Sequence, residues 1–328
     1  MLQGKIIDTI SNTAEAISID QSRCLRMRFN KNACSECINH CRSNAIIIDE
    51  GVTIKSNACS ECMLCVSVCP LGCFDIKGMD FYSVIERLKK LSNSVPVSVL
   101  GCKEMANIKA HEKTNCLGFL SEEHILALSV LERNLQINLT GCADCRNGFI
   151  VDNLKERMKS IAEKTSLDVF EKISLVEDGS ELCYQDISLD RRGFFKAIKN
   201  LTFLQAANLF ENITPDDNTR SYSAKKIPVR RDLLNRTLRL LPEWNYTQVL
   251  DAYYYNLRID EGCNNCFACV GMCPTGALKV NASELFFSSA LCAGCGLCME
   301  FCMMGSIHIE KGFSSGLDPC RYSVPKGS

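Results

Sequence analysis

The stretch that decides the fold of this chain is CNNCFACVGMCP, residues 263–274. Its first three cysteines are each separated by two residues, and a fourth follows after three more residues, directly before a proline. Three thiolates in so tight a loop can each bind one iron of a cubic iron–sulfur cluster, whereas the fourth, after a turn, points towards a neighbouring cube. The spacing therefore predicts a [4Fe–4S] cluster that takes its fourth ligand from another motif.

A second copy of this spacing follows at residues 292–302, with Met303 in the position of the proline. When the fourth cysteine of each motif is exchanged with that of the other, two sets of four cysteines result. We expect each set to bind one [4Fe–4S] cluster. The first set, called site 3, is Cys263, Cys266, Cys269 and Cys302; the second, called site 4, is Cys292, Cys295, Cys298 and Cys273.

A similar block lies near the start of the chain, with a complete motif at 59–69 and an incomplete one before it. The incomplete motif has Lys31 where its first cysteine belongs, and Cys24 can supply the missing ligand if residues 25–33 loop out. If Cys24 is not a ligand, we expect a three-iron cluster or a ligand other than cysteine. The predicted sets are Cys24, Cys34, Cys37 and Cys69 for site 1, and Cys59, Cys62, Cys65 and Cys41 for site 2.

Zinc is the main alternative metal, because it also binds cysteines separated by two residues. Zinc sites use two such pairs separated by a longer gap, and four closely spaced cysteines before a proline suit tetrahedral zinc poorly. Three complete copies of the motif, two of them in tandem, are too many to arise by chance. The motifs therefore favour iron–sulfur clusters.

Both blocks resemble the two-cluster ferredoxin domains of bacteria, over about 55 residues each. The segments that follow the motifs are typical of a β-hairpin packed over the clusters, at 278–280 and 285–287 in the second block and at 45–50 and 52–55 in the first. The departures are Arg42 and Met303 in place of proline and the offset of Cys24. The resemblance implies four [4Fe–4S] clusters, electron transport and anaerobic metabolism.

The middle of the chain alternates predicted helices and strands, which favours a small parallel sheet. Apolar spacing predicts strands at 95–100 and 135–139 and helices at 81–91, 121–133 and 153–163, with Ser121 as the N-cap of the second helix. Each strand is followed by a cysteine, Cys102 or Cys142, at its carboxyl end. Ligands of open α/β sheets bind at that edge.

Four cysteines of this middle region are called the central site: Cys102, Cys116, Cys142 and Cys145. The pattern around them resembles the delta subunit of methyl-viologen-reducing hydrogenase, a partner of heterodisulfide reductase. That resemblance implies a [2Fe–2S] cluster. We expect it to lie between the cluster pair of sites 1 and 2 and the cluster pair of sites 3 and 4, and to connect them. The alternatives are ordinary buried cysteines or a remnant site without metal, and four thiolates also suit zinc.

The predicted fold class is α+β, with two ferredoxin-like dicluster modules on either side of a central α/β domain that contains a small parallel sheet. The corresponding domains are 1–78, 79–185, a helical linker region at 186–250, and 251–328. Cys73, Cys183 and Cys320 belong to no motif, and we interpret them as small buried hydrophobic side chains.

The composition excludes several classes of function. The formal net charge of the 328 residues is −1, so no basic field attracts nucleic acid or anionic lipid. No apolar run is long enough to span a membrane, and the start of the chain lacks the apolar segment of a signal peptide. With 23 cysteines, an odd number, we expect reduced thiols in the cytoplasm rather than a disulfide framework.

No nucleotide-binding loop, radical motif or catalytic triad signature is present, so we expect an electron-transfer protein or subunit, with no catalytic residue of its own. It would pass single electrons between a redox enzyme and an acceptor, as part of a larger oxidoreductase complex. The alternative is an oxidoreductase subunit with a substrate or disulfide site at the central cysteines. A third hypothesis is a structural role, in which metal binding only stabilises the fold.

Overall fold

The computed structural model describes residues 15–105, 107–186, 222–241, 243–313 and 322–323. It mixes short helices and strands with one small parallel sheet, so the predicted α+β class is confirmed. Cys320 and much of the predicted linker, residues 187–221, lie outside the described residues. Within the described part, no helix is both long and apolar enough to cross a membrane.

The first block consists of short elements between the cysteines. Its first and last strands pair antiparallel, with Ile17 opposite Ile76, and its two middle strands form the expected hairpin, with Ile46 opposite Ile54. The alternate residues Val52 and Ile54 are buried, as a half-buried strand requires. The elements are β1 (Ile17–Ile19), α1 (Leu25–Arg28), α2 (Glu36–Asn39), β2 (Ile46–Ile48), β3 (Val52–Ile54), α3 (Leu64–Val68) and β4 (Phe74–Ile76).

The central region is a four-stranded, wholly parallel sheet. Its strand order is β6 (Glu112–Thr114), β5 (Ser98–Cys102), β7 (Leu135–Asn138) and β8 (Ile173–Val176). The helix at 81–91 begins and ends as predicted, because Asp80 caps it by accepting from the backbone N–H groups of Tyr82 and Ser83. The other predicted elements are present with shifted ends. The elements are α4 (Phe81–Leu91), β5 (Ser98–Cys102), β6 (Glu112–Thr114), α5 (Glu122–Leu131), β7 (Leu135–Asn138), α6 (Ile150–Thr165) and β8 (Ile173–Val176).

Two helices and the second block complete the described chain. The second block repeats the strand pairing of the first: its outer strands pair with Ile259 opposite Ile307, and its inner strands form the expected hairpin, with Leu278 opposite Phe287. The elements are α7 (Val229–Leu238), α8 (Glu243–Tyr253), β9 (Tyr255–Ile259), α9 (Ala268–Met272), β10 (Leu278–Asn281), β11 (Glu284–Phe287), α10 (Leu297–Phe301), β12 (Ile307–Lys311) and β13 (Tyr322–Ser323).

The two blocks contact each other directly. The rings of Phe29 and Phe301 meet edge to face with their centroids 5.5 Å apart. Next to them, the side-chain amide of Asn32 donates to Glu300 Oε2 at 2.7 Å. A small apolar core of Leu25, Leu71 and Leu297 lies under this contact. The blocks are therefore neighbours in space although the central sheet separates them in sequence.

Candidate metal centres

The three complete motifs share one backbone conformation. In each C-x-x-C-x-x-C loop, the residue directly before the second cysteine and the residue directly after it both have φ between 53° and 73°. Four of these six left-handed residues are not glycine, and each costs roughly 1–3 kcal/mol. The six are Glu61, Met63, Asn265, Phe267, Gly294 and Gly296.

This conformation turns backbone N–H groups towards the cysteine sulfurs. The N–H of Glu61 donates to Cys59 Sγ at 3.4 Å, and the N–H of Gly294 donates to Cys292 Sγ at the same distance. Hydrogen bonds of this kind stabilise thiolates, the form of cysteine that binds metal. The strained loops therefore suit the chemistry of a cluster site.

Site 3 is a cavity of about 240 Å³. Its four predicted ligands, three from one motif and Cys302 from the other, all line it. Apolar side chains, among them Ile259, Leu285 and Met304, complete the wall. The structure thus brings together the exchanged set that the sequence predicts, and the size and sulfur-rich lining fit a cube.

Site 4 is more deeply buried. The pKa of Cys292 is raised to about 12 and that of Cys295 to about 11, mainly by burial, with negative charge on Cys273 contributing to both. Burial and the same neighbour also raise the pKa of Cys298. Thiolates this close together cannot all ionise without a positive centre among them, which a cluster supplies.

In site 2, as in site 4, burial and the charge of a cysteine from the other motif raise the pKa values of three cysteines. Burial raises the pKa of Cys59, Cys62 and Cys65, and charge on Cys41 raises each of them further. The N–H of Ala45 donates to Cys41 Sγ at 3.3 Å. Cys41, the fourth cysteine of the incomplete motif, therefore lies with the three cysteines of the complete one.

Site 1 includes Cys24. Burial raises the pKa of Cys37 to about 12, and charges on Cys69, Cys24 and Cys34 add to the shift. The four predicted ligands line one narrow cavity of about 20 Å³. Residues 25–28 form α1, so the insertion after Cys24 is partly helical.

The backbone of Cys24 matches that of a first cysteine in a complete motif. Cys24 ends a one-turn 3₁₀ helix at Gln21–Arg23 with φ −74° and ψ 129°. Cys292 ends an equivalent turn at Ser289–Leu291 with φ −74° and ψ 125°. The match supports Cys24, rather than Lys31, as the start of the incomplete motif.

Cys73 lies in the same cavity as the ligands of site 1. Its side chain is only 2% exposed, and its proximity lowers the pKa of Cys24 to about 6. The prediction for Cys73 as a buried side chain holds, but it missed this contact with a candidate ligand. Cys183, in contrast, is exposed, so its interpretation as a buried side chain is wrong.

The central site forms at the carboxyl edge of the parallel sheet. Cys102 is the last residue of β5, Cys116 follows β6, and Cys142 follows β7. The neighbouring Cys116 thiol lowers the pKa of Cys102. Burial raises the pKa of Cys142 to about 11, and charges on Cys145 and Cys102 add to it. All four predicted residues are therefore neighbours.

This site adjoins site 2. A Cβ on Gly118 would lie 2.1 Å from the carbonyl oxygen of Cys62, and Asn147 Nδ2 donates to the carbonyl oxygen of Ser60 at 2.8 Å. The two blocks also contact each other directly at Phe29 and Phe301. A position of the central site between the two cluster pairs stays a prediction.

Across the described ranges, no three His, Cys, Asp or Glu side chains have the geometry to hold a single metal ion. A cube takes one thiolate at each of four irons and so separates its ligands more widely than one ion does. The fit of sites 1 to 4 to a cube rests on the four thiols of each set and on the donors around them.

A comparison with known proteins identifies a similar ferredoxin. Over 64 residues, which are 19% of this chain and 98% of the relative, the sequence is 33% identical to a ferredoxin of Methanothermococcus thermolithotrophicus. This chain belongs to the ferredoxin family. Together with the abundant cysteines, the match supports an iron–sulfur protein of electron transport. No protein-family model and no solved structure matches the chain.

Proposed function

We propose that this protein carries electrons through four [4Fe–4S] clusters held at sites 1 to 4, in dicluster modules at 1–78 and 251–328. The observation that carries the proposal is the cavity at site 3, which three cysteines of one motif and Cys302 of the other line together. In two-cluster ferredoxins, the fourth cysteine of each motif likewise binds the cluster of the other motif. The match to a ferredoxin supports the same class of function.

When bound, the clusters supply one-electron redox chemistry. The chain contributes the rest. Its thiols supply the ligands, its left-handed loops direct N–H groups at the sulfurs, and burial of residues such as Cys65 and Cys273 keeps water away. Hydrogen bonds to the sulfurs and exclusion of solvent are two of the means by which a protein sets cluster potentials.

The contacts between sites support an order for electron passage: central site, site 2, site 1, site 4, site 3. The first step is supported by Gly118, which lies against the backbone of Cys62. Between blocks, Cys34 of site 1 and Cys295 of site 4 both pack against one small core that includes Leu25 and Leu297. Short separations between neighbouring sites allow electron exchange, so this order makes one continuous path.

The central domain, 79–185, resembles the delta subunit of methyl-viologen-reducing hydrogenase, and we propose a [2Fe–2S] cluster at its four cysteines. The region at 186–250 would then connect the central domain to the second ferredoxin-like module. At the end of the path, the central site would face a redox partner within a larger oxidoreductase complex. The proximity of Cys102, Cys116 and Cys142 supports this assignment.

The second candidate function is that of an oxidoreductase subunit with a disulfide or substrate site at the central cysteines. The observation in its favour is that the neighbouring Cys116 thiol lowers the pKa of Cys102. A lowered pKa increases the thiolate fraction, and the thiolate is the nucleophilic form of cysteine. Cys142→Ser separates the candidates: loss of one iron signal supports a cluster, whereas loss of turnover with unchanged iron supports a thiol enzyme.

Anaerobic iron and sulfide analysis tests the main proposal. Four cubes require about 16 of each per chain, and an occupied central site adds about two. Cys266→Ser should remove about four irons, whereas Cys183→Ser, a change at an exposed cysteine outside every site, should remove none. A value near eight in the unaltered protein would refute one whole module. Clusters that cannot be reduced and reoxidised reversibly would refute the carrier function.

A further inference from the structure

A cavity of about 360 Å³ lies where the two blocks, the central region and α7 meet. Its wall includes Ser67 of the first block, Arg157 of the central region, Arg231 of α7, and Tyr255 and Lys311 of the second block. A cavity of this size has room for a small organic molecule. No candidate cluster ligand lines it, so it is separate from sites 1 to 4 and from the central site.

Four cationic side chains contribute to this wall: Arg157, Arg230, Arg231 and Lys311. Within the described ranges, Arg230 alone among them has an ion pair, with Glu123 at 3.9 Å. The guanidinium of Arg157 instead donates to the carbonyl oxygens of Gly118 at 3.1 Å and Leu120 at 2.5 Å. Carbonyl oxygens hold this side chain in place without neutralising its charge.

The glutamates of the wall form no ion pair with Arg157, Arg231 or Lys311 among the described residues. Glu122 pairs with Lys164, outside the wall, at 2.8 Å. Glu123 accepts from Ser121 Oγ at 2.6 Å in addition to its contact with Arg230. Glu156 is exposed to solvent. Positive charge in the wall therefore has no paired anion.

Arg231 is the most deeply placed of these cations, at 7% exposed. Its Nη2 donates to the carbonyl oxygen of Tyr253 at 2.8 Å, and its guanidinium carbon lies 4.9 Å from the ring centroid of Tyr254 and 5.7 Å from that of Tyr255. Its Nη1 has no hydrogen-bond partner in the described part of the chain. Because burial of an unpaired charge is costly, such a group is normally satisfied by an anion.

An acceptor in the same wall also lacks a partner. Asn153 Oδ1 is buried and receives no hydrogen bond within the described residues, and a hydroxyl group can supply one. The guanidinium group matches carboxylate and phosphate oxygens in charge and geometry. We propose that the cavity binds a small organic anion whose carboxylate or phosphate group pairs with Arg231 and Lys311 and whose hydroxyl donates to Asn153.

The position of the cavity connects this ligand to electron transfer. Pro70 and Ala293 also line it, and they adjoin Cys69 of site 1 and Cys292 of site 4. A bound anion adds negative charge beside both sites, and reduction of a cluster adds more, so the anion lowers their midpoint potentials. This effect rests on the proposed function, because it requires clusters at sites 1 and 4, whereas the binding of the anion does not.

Isothermal titration calorimetry on the iron-loaded full chain, under anaerobic conditions, tests the binding. Malate or glycerol 3-phosphate should bind, the tighter of the two identifying the oxyanion, and uncharged glycerol should not. Arg231→Gln should weaken binding by about tenfold or more, because it removes a charge-assisted hydrogen bond. Lys311→Gln should weaken it a few-fold, since Lys311 is exposed. Lys90→Gln, at an exposed lysine outside the cavity, is the matched control and should change nothing.

Two results would overturn the proposed site. If neither anion binds more tightly than glycerol, the cavity takes no such ligand. If both cavity variants keep the affinity of the unaltered protein, the anion binds elsewhere. Should Arg231→Gln fail to fold, the comparison of Lys311→Gln with Lys90→Gln decides.

An anaerobic redox titration followed by EPR tests the effect on the clusters. At a saturating concentration of the anion, the signal lost in Cys24→Ala, which reports site 1, should have a more negative midpoint potential. The signal lost in Cys266→Ser, which reports site 3, should keep its midpoint. Equal potentials of site 1 with and without the anion would refute the effect on electron transfer. An unaltered protein that binds the anion but has no reducible clusters would refute the proposed function and confirm the binding site.

Discussion

Gly118 of the central region lies directly against the backbone of Cys62 in site 2: a Cβ on Gly118 would be 2.1 Å from the Cys62 carbonyl oxygen. No real Cβ approaches an oxygen so closely, and a backbone oxygen cannot move aside as a flexible side chain can. The glycine therefore lets the cysteine loop and the central sheet pack together. This contact links the central region to the first block.

We predict that Gly118→Ala separates site 2 from the central site. The added methyl group must push the Cys62 loop away, which costs on the order of 1–3 kcal/mol of stability. Magnetic interaction between the two centres, measured by EPR relaxation of the reduced protein, should weaken. Gly179→Ala is the control in the same region, since nothing lies within 4 Å of a Cβ there. An unchanged relaxation rate in Gly118→Ala would contradict the first step of the proposed path.

Cys24 is expected to be indispensable to site 1. Cys24→Ala should lower the iron content by about four atoms per chain, or by about one if a three-iron cluster forms instead. The physical reason is that Cys24 supplies the position that Lys31 cannot. Iron analysis and EPR distinguish the two results. Full iron content with an unchanged spectrum would show that another group closes the site.

The contact between Phe29 and Phe301 should control passage between the blocks. Phe301→Ala removes an edge-to-face pair worth about 0.5–1.5 kcal/mol and loosens the contact between site 1 and site 4. We expect all four clusters to remain, with slower electron equilibration between the blocks in rapid-freeze EPR. Phe170→Ala, at an exposed phenylalanine of the central region, should leave the rate unchanged. Equal rates in both variants would argue for another route between the blocks.

Glu132 makes the stability of the protein depend on pH. Burial raises the pKa of its carboxyl to about 7, with Lys89 opposing part of the shift, and both of its oxygens lack a hydrogen-bond partner within the described chain. Because the folded protein holds this proton more tightly than the unfolded chain does, stability is lost as the pH rises from about 4.5 through 7. Glu132→Gln should remove this loss and stabilise the protein above pH 7 by on the order of 3 kcal/mol.

Thermal unfolding of the iron-loaded protein under anaerobic conditions, at pH 5 and pH 8.5, measures this effect. The gain of Glu132→Gln over the unaltered protein should be larger at the higher pH. Glu171→Gln, at an exposed glutamate, should behave like the unaltered protein at both values. The same gain at pH 5 and pH 8.5 would mean that ionisation of Glu132 is not the cause.

Local patterns predicted much of the fold. The regular apolar spacing of 81–91 predicts that helix to the residue, and the structure adds Asp80 as its N-cap. Strands β6 and β8 were missed: β6 contains only Glu112, Lys113 and Thr114, and its strand conformation depends on pairing with β5. Pairing partners distant in sequence cannot be deduced from a three-residue polar segment.

The cysteine spacing by itself determined the four candidate sets and the exchange of fourth ligands, because spacing governs which thiols one loop can present to a cube. Tertiary structure alone decided where those sets lie. It placed Cys73 beside Cys24, the central site against Cys62, and Phe29 against Phe301. These contacts join residues far apart in the chain through packing of side chains and backbone, and packing depends on the whole fold rather than on any local pattern.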